Sequence, residues 1–246
     1  FVSLEHRTDA EARRVIYARD CILAPGFIDI HCHSDFAVFD HPDSEIKLKQ
    51  GVTLDVLGNC GESLAPLAGD ARESIRAASD TNIAAWEYPL NWSAYGEYIQ
   101  TIEKSGQSIN LMGLVGHGTL RLAAMGHSDA PPTAVQMDRM KSLLARSLDE
   151  GAAGMSTGLI YAPGCFADTS ELIELAKIAG RQGGLYTSHI RNEAEGVLTA
   201  LGEVIRIGRE SRVPVHVSHL KLAGNRNWHL TERVVQTLEK ARAEGI

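Results

Sequence analysis

From residue 26 onward, short apolar runs alternate with longer amphipathic stretches, and this alternation predicts the elements. The runs at 27–31, 52–58, 110–116, 152–157, 184–189 and 213–219 are bounded by glycine, proline or polar residues, the pattern of strands. In the first, Pro25-Gly26 turns the chain, and Phe27, Ile28 and Ile30 read as a buried strand. The stretch 132–150 opens at Pro131-Pro132, repeats Val135, Met140, Leu143, Leu144 and Leu148, and stops at Gly151, which predicts a helix. Asp168 or Thr169 can cap a second helix over 170–182, where Leu172, Leu175, Ala176 and Ala179 share a face and Gly183-Gly184 ends the pattern. Residues 194–211 and 231–244 behave similarly, and a helical segment near 93–104 returns the chain to the third strand. Alternating strands and helices imply an α/β fold of parallel strands joined by right-handed crossovers, and at this length one TIM-like (β/α)8 barrel or two smaller domains would fit.

Two regions depart from this rhythm. Residues 1–24 carry Val15-Ile16-Tyr17-Ala18 and Cys21-Ile22-Leu23-Ala24 on either side of Arg19-Asp20, which reads as the last hairpin of a small N-terminal β domain. The expected organisation is therefore a domain remnant over 1–24 and an incomplete barrel over 25–246. The connection from about 61 to 109 holds Trp86, Tyr88, Trp92, Tyr95 and Tyr98, which either cover a substrate site or pack a satellite cluster.

Composition narrows the class. A chain of 246 residues can bury a large core, and 44% hydrophobic with 22% charged residues is ordinary for a globular α/β protein. A formal charge of −7 gives no reason to expect nucleic acid or an acidic membrane as partner. No run of about 18 apolar residues would span a bilayer. Cys21, Cys32, Cys60 and Cys165 are scattered without a C-x-x-C, which favours a reducing compartment, the cytoplasm, over a disulfide framework.

Candidate chemistry collects at the strand ends. His31 and His33 close the first strand, and residues two apart on a strand share a face, so both imidazoles can reach one metal or two neighbouring ones. The next runs end in Gly58-Asn59-Cys60-Gly61, Gly116-His117-Gly118, Ser156-Thr157-Gly158, Thr187-Ser188-His189-Ile190-Arg191 and Val217-Ser218-His219-Leu220-Lys221. In a barrel of parallel strands the C-terminal ends converge on one mouth. A thiolate and several imidazoles meeting there make an N/S site suited to Zn²⁺ and to metal-assisted hydrolysis. Cys32, between the two histidines, is expected to face away as a small core residue.

With these residues in view, the chain resembles the amidohydrolase superfamily. Pro-Gly-Phe-Ile-Asp-Ile-His-Cys-His-Ser-Asp at 25–35 is similar to its first-strand motif. Gly-Asn-Cys-Gly at 58–61, Gly-His-Gly-Thr-Leu-Arg at 116–121, Gly-Met-Ser-Thr-Gly-Leu-Ile-Tyr-Ala-Pro-Gly at 154–164, Tyr-Thr-Ser-His-Ile-Arg-Asn-Glu at 186–193 and Val-Ser-His-Leu-Lys at 217–221 resemble the N-acyl-D-amino-acid deacylase (D-aminoacylase) branch. The resemblance implies that Cys60, His189 and His219 hold a principal, tightly bound zinc. It implies a second, weaker site at His31 and His33, with Cys60 bridging. Tyr161 and Lys221 match positions that bind the substrate carboxylate or polarise its carbonyl, and His117 and Arg191 would line the same mouth. The implied substrate is a small N-acyl-D-amino acid, cleaved to a carboxylate and a free D-amino acid. An N-acyl-D-glutamate or N-acyl-D-aspartate, or a cyclic ureide, is the alternative on the same scaffold. A non-catalytic truncated metal-binding fragment is the alternative from another class.

One departure weighs against unaided activity. The family's general-base aspartate closes the eighth strand, whereas six strands are counted in this sequence. The expectation is a barrel truncated after about six strands, with Asp35, Asp55 and Glu193 as the acids that could be proposed in its place and residues 1–246 inactive on their own.

Overall fold

The structure is a computed structural model that describes residue 11, residues 13–82 and residues 90–246. Trp86 and Tyr88 lie outside the described residues. Seven strands are found among them: β1 (Phe27–Asp29), β2 (Val52–Leu57), β3 (Asn110–Gly113), β4 (Val115–Gly116), β5 (Gly154–Gly158), β6 (Leu185–His189) and β7 (Val215–Val217). All neighbours pair in parallel and in chain order, β1-β2-β3 and β4-β5-β6-β7. The expected third strand, 110–116, is broken at Leu114, whose N–H donates to Leu57 O at 3.0 Å while Ala153 N–H donates to Gly113 O at 2.8 Å. These bonds carry one curved wall across the break, so the six predicted strand positions stand.

Nine helices lie among the described residues: α1 (Ala37–Asp40), α2 (Glu45–Lys49), α3 (Ala71–Asn82), α4 (Tyr95–Ser105), α5 (His117–Met125), α6 (Ala134–Asp149), α7 (Thr169–Arg181), α8 (Val197–Ser211) and α9 (Thr231–Ala243). Their ends follow from the sequence. Thr133 and Gln136 form a reciprocal capping box at α6, and Asp168 accepts from Glu171 N–H at 2.8 Å to start α7. Leu172, Leu175, Ala176 and Ala179 of α7 are fully buried, as their spacing predicts. Met140, Leu144 and Leu148 of α6 are buried too, but Val135, in the first turn, is exposed. With Met155, Tyr186, Leu201 and Val204 they form the core between the wall and its helices. Each such side chain contributes roughly 1.5–3 kcal/mol relative to exposure. No helix among the described residues is long and apolar enough to cross a membrane.

Two expectations need correction. Phe27, Ile28 and Ile30 are not buried: they are 61%, 58% and 50% exposed, because β1 is an edge strand paired only with β2. Residues 15–18 and 21–24 form no strands; the turn between them is present, with Cys21 N–H donating to Ala18 O, but Tyr17 and Ile22 stand in solvent with no sheet to join. Of the two readings of the aromatic connection, Trp92, Tyr95 and Tyr98 follow the packing one: they are buried in the core, against one another and Phe39.

Candidate metal centre

The loop after β2 sets the position of Cys60. Gly58 and Gly61 both have positive φ (73° and 77°), and a Cβ on Gly58 would meet Leu114 O at 2.1 Å, so glycine is required there. Cys60 itself is held at φ 55°, the left-handed region that costs an ordinary residue about 1–2 kcal/mol. The strain is opposed from several sides. Gly58 N–H donates to the Asp35 carboxylate at 2.8 Å, and Gly61 N–H to Ser156 Oγ at 3.0 Å. The side-chain amide of Asn59 donates to Val56 O at 2.7 Å, and the Tyr161 hydroxyl to Cys60 O at 2.6 Å.

Held in this way, Cys60 Sγ lies 3.4 Å from His31 Nε2, 3.5 Å from His219 Nε2 and 3.8 Å from His189 Nδ1. These histidines arrive from the ends of β1, β6 and β7, far apart in sequence. Two donors on one tetrahedral zinc, sulfur at about 2.3 Å and nitrogen at about 2.0–2.1 Å, stand about 3.6 Å apart. The three separations bracket that value; ligand atoms of His31, Cys60 and His219 all lie within 4.8 Å of one another, and those of His189, Glu193 and His219 form a second such group. Burial pushes the His31 imidazole down to about 4, reinforced by the charges of neighbouring histidines, and burial lowers His189 as well. Neutral imidazole, the ligating form, is therefore favoured.

Glu193 completes the cluster. Its carboxylate accepts from Lys221 Nζ at 2.5 Å and lies 3.1 Å from His219 Nδ1 and 3.6 Å from His189 Nε2. Among the acids weighed from the sequence it is the one with a place in the site, and its signal was its position four residues after His189. His33 stands beside His31, ring centroids 5.4 Å apart, at the wall of a cavity of about 480 Å³ that also reaches Cys60 and Tyr161. Lys221 is half exposed and lies 3.2 Å from His219 Nδ1.

Two expected mouth residues are placed elsewhere. His117 directly follows β4 as the first residue of α5, and it is fully buried against Glu171 of α7 at 2.8 Å, with Arg121 also bonded to that carboxylate. Arg191 turns away from the cluster: its guanidinium donates to Glu203 of α8 and to the carbonyls of Cys165 and Ala167. Cys32 points away from the imidazoles to Val56 O, as expected, and burial pushes its thiol up to about 11. Asp29, Cys32 and Asp55 also cluster, but Lys47 already pairs with Asp29 and lies 3.3 Å from Asp55, so a cation is supplied there by the chain itself.

Parallel strands in chain order, helices behind them, and a cysteine–histidine cluster across the strand ends define an α/β protein with a candidate metal centre of the kind hydrolases use. A profile of the amidohydrolase family matches residues 14–242, and the chain belongs to that family. It is 39% identical over 239 residues to an N-acyl-D-glutamate deacylase of Alcaligenes xylosoxydans xylosoxydans, covering 96% of this chain and 47% of that protein. Among solved structures, an N-acyl-D-glutamate deacylase from Bordetella bronchiseptica, complexed with zinc and a phosphonate inhibitor that mimics the tetrahedral intermediate, superposes with a TM-score of 0.81 at 40% identity, covering 90% of this chain and 46% of that one. A D-aminoacylase with a binuclear metal centre superposes equally well, at 36% identity over 89% of this chain and 45% of its own. The chain spans about half the length of the curated relatives it matches.

Proposed function

We propose that this chain forms the metal-binding part of a zinc-dependent deacylase that hydrolyses the amide bond of N-acyl-D-amino acids. The observation that carries the reading is the placement of Cys60 Sγ within 3.4–3.8 Å of three imidazole nitrogens from three strand ends. Cys60, His189 and His219 would hold the principal zinc, with His31 and His33 able to form a second, weaker site through Cys60. Zinc supplies Lewis acidity toward the scissile carbonyl and activates water at neutral pH.

The chain's own residues do the rest. Glu193 orients His219 from behind and fixes the Lys221 ammonium, which is half exposed and suited to the substrate carboxylate. The Tyr161 hydroxyl braces the strained Cys60 backbone and stands beside the His189 ring, where a small rotation would bring it to a substrate carbonyl. Glu193 is committed to Lys221 and His219, and the Asp35 carboxylate to Gly58 N–H, so neither is a ready proton acceptor. An aspartate on a further strand end, as the family resemblance implies, would serve as general base.

A larger TIM-like barrel is the natural setting. β1 and β7 are each paired on one side only, and Phe27, Ile28 and Ile30 present apolar surface that further strands would cover. In this reading residues 25–246 are the incomplete barrel. A thiolate ligand suits a reducing compartment such as the cytoplasm. The similarity to N-acyl-D-glutamate and N-acyl-D-aspartate deacylases makes acidic D-amino acids the second substrate class. Release of free amino acid by the full-length zinc-loaded protein, across matched D and L substrates, tests the proposal. Turnover of D and near silence on L supports it; equal rates on both, or none on either, would overturn it. The isolated 246-residue chain should be essentially inactive.

A further inference from the structure

The cavity of about 480 Å³ begins at the metal cluster, where His33, Cys60 and Tyr161 line it, and runs outward between the β2 loop and α5 to Leu64, Ile75 and Leu122. Pockets of about 300–1,000 Å³ take ligands of drug size, so this one exceeds the needs of an acetyl group. Charge decides which half of a substrate it suits. Asp35 and Glu62 are the acidic residues on its wall, His33 and His127 the imidazoles, and no lysine or arginine among the described residues lines it. The amino-acid half of every substrate in the reading above carries a free carboxylate, which finds no lysine or arginine there to pair with. Lys221, the ammonium beside the cluster, is outside the cavity, on the flank of His219 and Glu193. A scissile amide centred on Cys60 and its histidines would therefore send its carboxylate toward Lys221 and its acyl chain the opposite way.

We infer that this cavity is an acyl-chain pocket, with Leu64 and Leu122 as residues that set chain length, and that medium-chain N-acyl-D-amino acids are better substrates than N-acetyl ones. The inference rests on the deacylase reading and adds the class of acyl group. Each methylene buried should raise kcat/KM by about fourfold until the pocket is filled.

The test uses the full-length zinc-loaded protein and one D-amino acid carrying acetyl, butyryl, hexanoyl or octanoyl groups. The octanoyl-to-acetyl ratio of kcat/KM should exceed unity by at least tenfold. It should collapse in Leu122→Trp, while Leu122→Ala moves the optimum to a longer chain; a ratio within one preparation is independent of the active fraction. Binding of octanoate and acetate, followed by calorimetry, gives a readout apart from turnover. Octanoate should bind more tightly, and Leu122→Trp should erase the difference. A flat acyl series in the wild type, or a slope unchanged in Leu122→Trp, overturns the inference. So does a Leu122→Trp effect that follows the length of the amino-acid side chain, which would assign the cavity to the other half. Selective octanoate binding without hydrolysis of any N-acyl-D-amino acid would overturn the deacylase reading and leave the apolar pocket standing.

Discussion

His117 and His189 look alike in the sequence, each a histidine closing an apolar run, yet they end in different environments. His189 is the last residue of β6 and faces Cys60, His219 and Glu193. His117 is the first residue of α5 and faces the helical layer, where Glu171 and Arg121 enclose it at zero exposure. One site gathers sulfur and imidazole donors on a common point; the other is a carboxylate whose cation is supplied by Arg121. The difference teaches that a strand-end histidine suits a ligand's role only where no side-chain cation already satisfies its neighbours.

The largest effect expected from this contrast falls on stability. Glu171→Gln leaves the Arg121 guanidinium buried without its counter-charge and should destabilise the fold by about 3–5 kcal/mol. Zinc stoichiometry of the folded fraction should not change, and denaturant unfolding with elemental analysis checks both. Burial raises the Glu171 pKa, but bonds from His117 and the charge of Arg121 outweigh it, so the folded value is lowered. Its contribution is therefore present above the unfolded carboxylate pKa and is lost as pH falls through the folded one. The gap between wild type and Glu171→Gln should be full at pH 7 and narrow below about pH 4.

Cys60→Ser attacks the other site and should show the converse. Partners behind a ligand are worth about 10–100-fold in metal affinity, so loss of the thiolate itself should exceed about 100-fold. The folded state should remain, since Cys60 adopts a strained backbone for which serine is no worse. A zinc affinity unchanged in competition with a chromophoric chelator would mean that the sulfur is only core. Glu193→Gln should weaken zinc by about 10–100-fold through His219 and leave the ligands in place. The smallest effect is at Tyr161→Phe, which removes the bond to Cys60 O and should lower thermal stability by about 1 kcal/mol. Any larger loss in kcat than in stability would mark the phenol as a group that also touches substrate.

Much of the fold was legible. Helices α6 to α9 are periodic over three or more turns, and α6 and α7 have side-chain caps, so local sequence and tertiary packing agree. The break at Leu114 was hidden because the run 110–116 stays apolar through it. α5 was missed because His117-Gly118-Thr119 are poor helix formers; the helix is secured by Thr119 N–H on Gly61 O and by close packing of Gly116 and Gly118 on that same loop. That miss hid the direction of the His117 side chain, into the helical layer. The hairpin at 15–24 has strand-forming residues but no neighbour to pair with, and propensity alone does not make a sheet.

The metal cluster was legible for a different reason. His31, Cys60, His189 and His219 sit at or just beyond strand ends, and parallel topology brings strand ends together whatever the intervening loops do. Arg191 was misread because its position indicates the mouth but not the direction of a long side chain, which Glu203 on α8 captures. Glu193 could be weighed only as an acid, since its partners His219 and Lys221 are brought to it by the fold.

The central claim is that one cysteine and histidines from separate strands surround a single metal. Zinc X-ray absorption of the full-length protein tests it most directly. The account predicts a shell with sulfur near 2.3 Å and nitrogen near 2.0–2.1 Å, and loss of the sulfur contribution in Cys60→Ser. A shell of nitrogen and oxygen alone in the wild type, unchanged by Cys60→Ser, would contradict it.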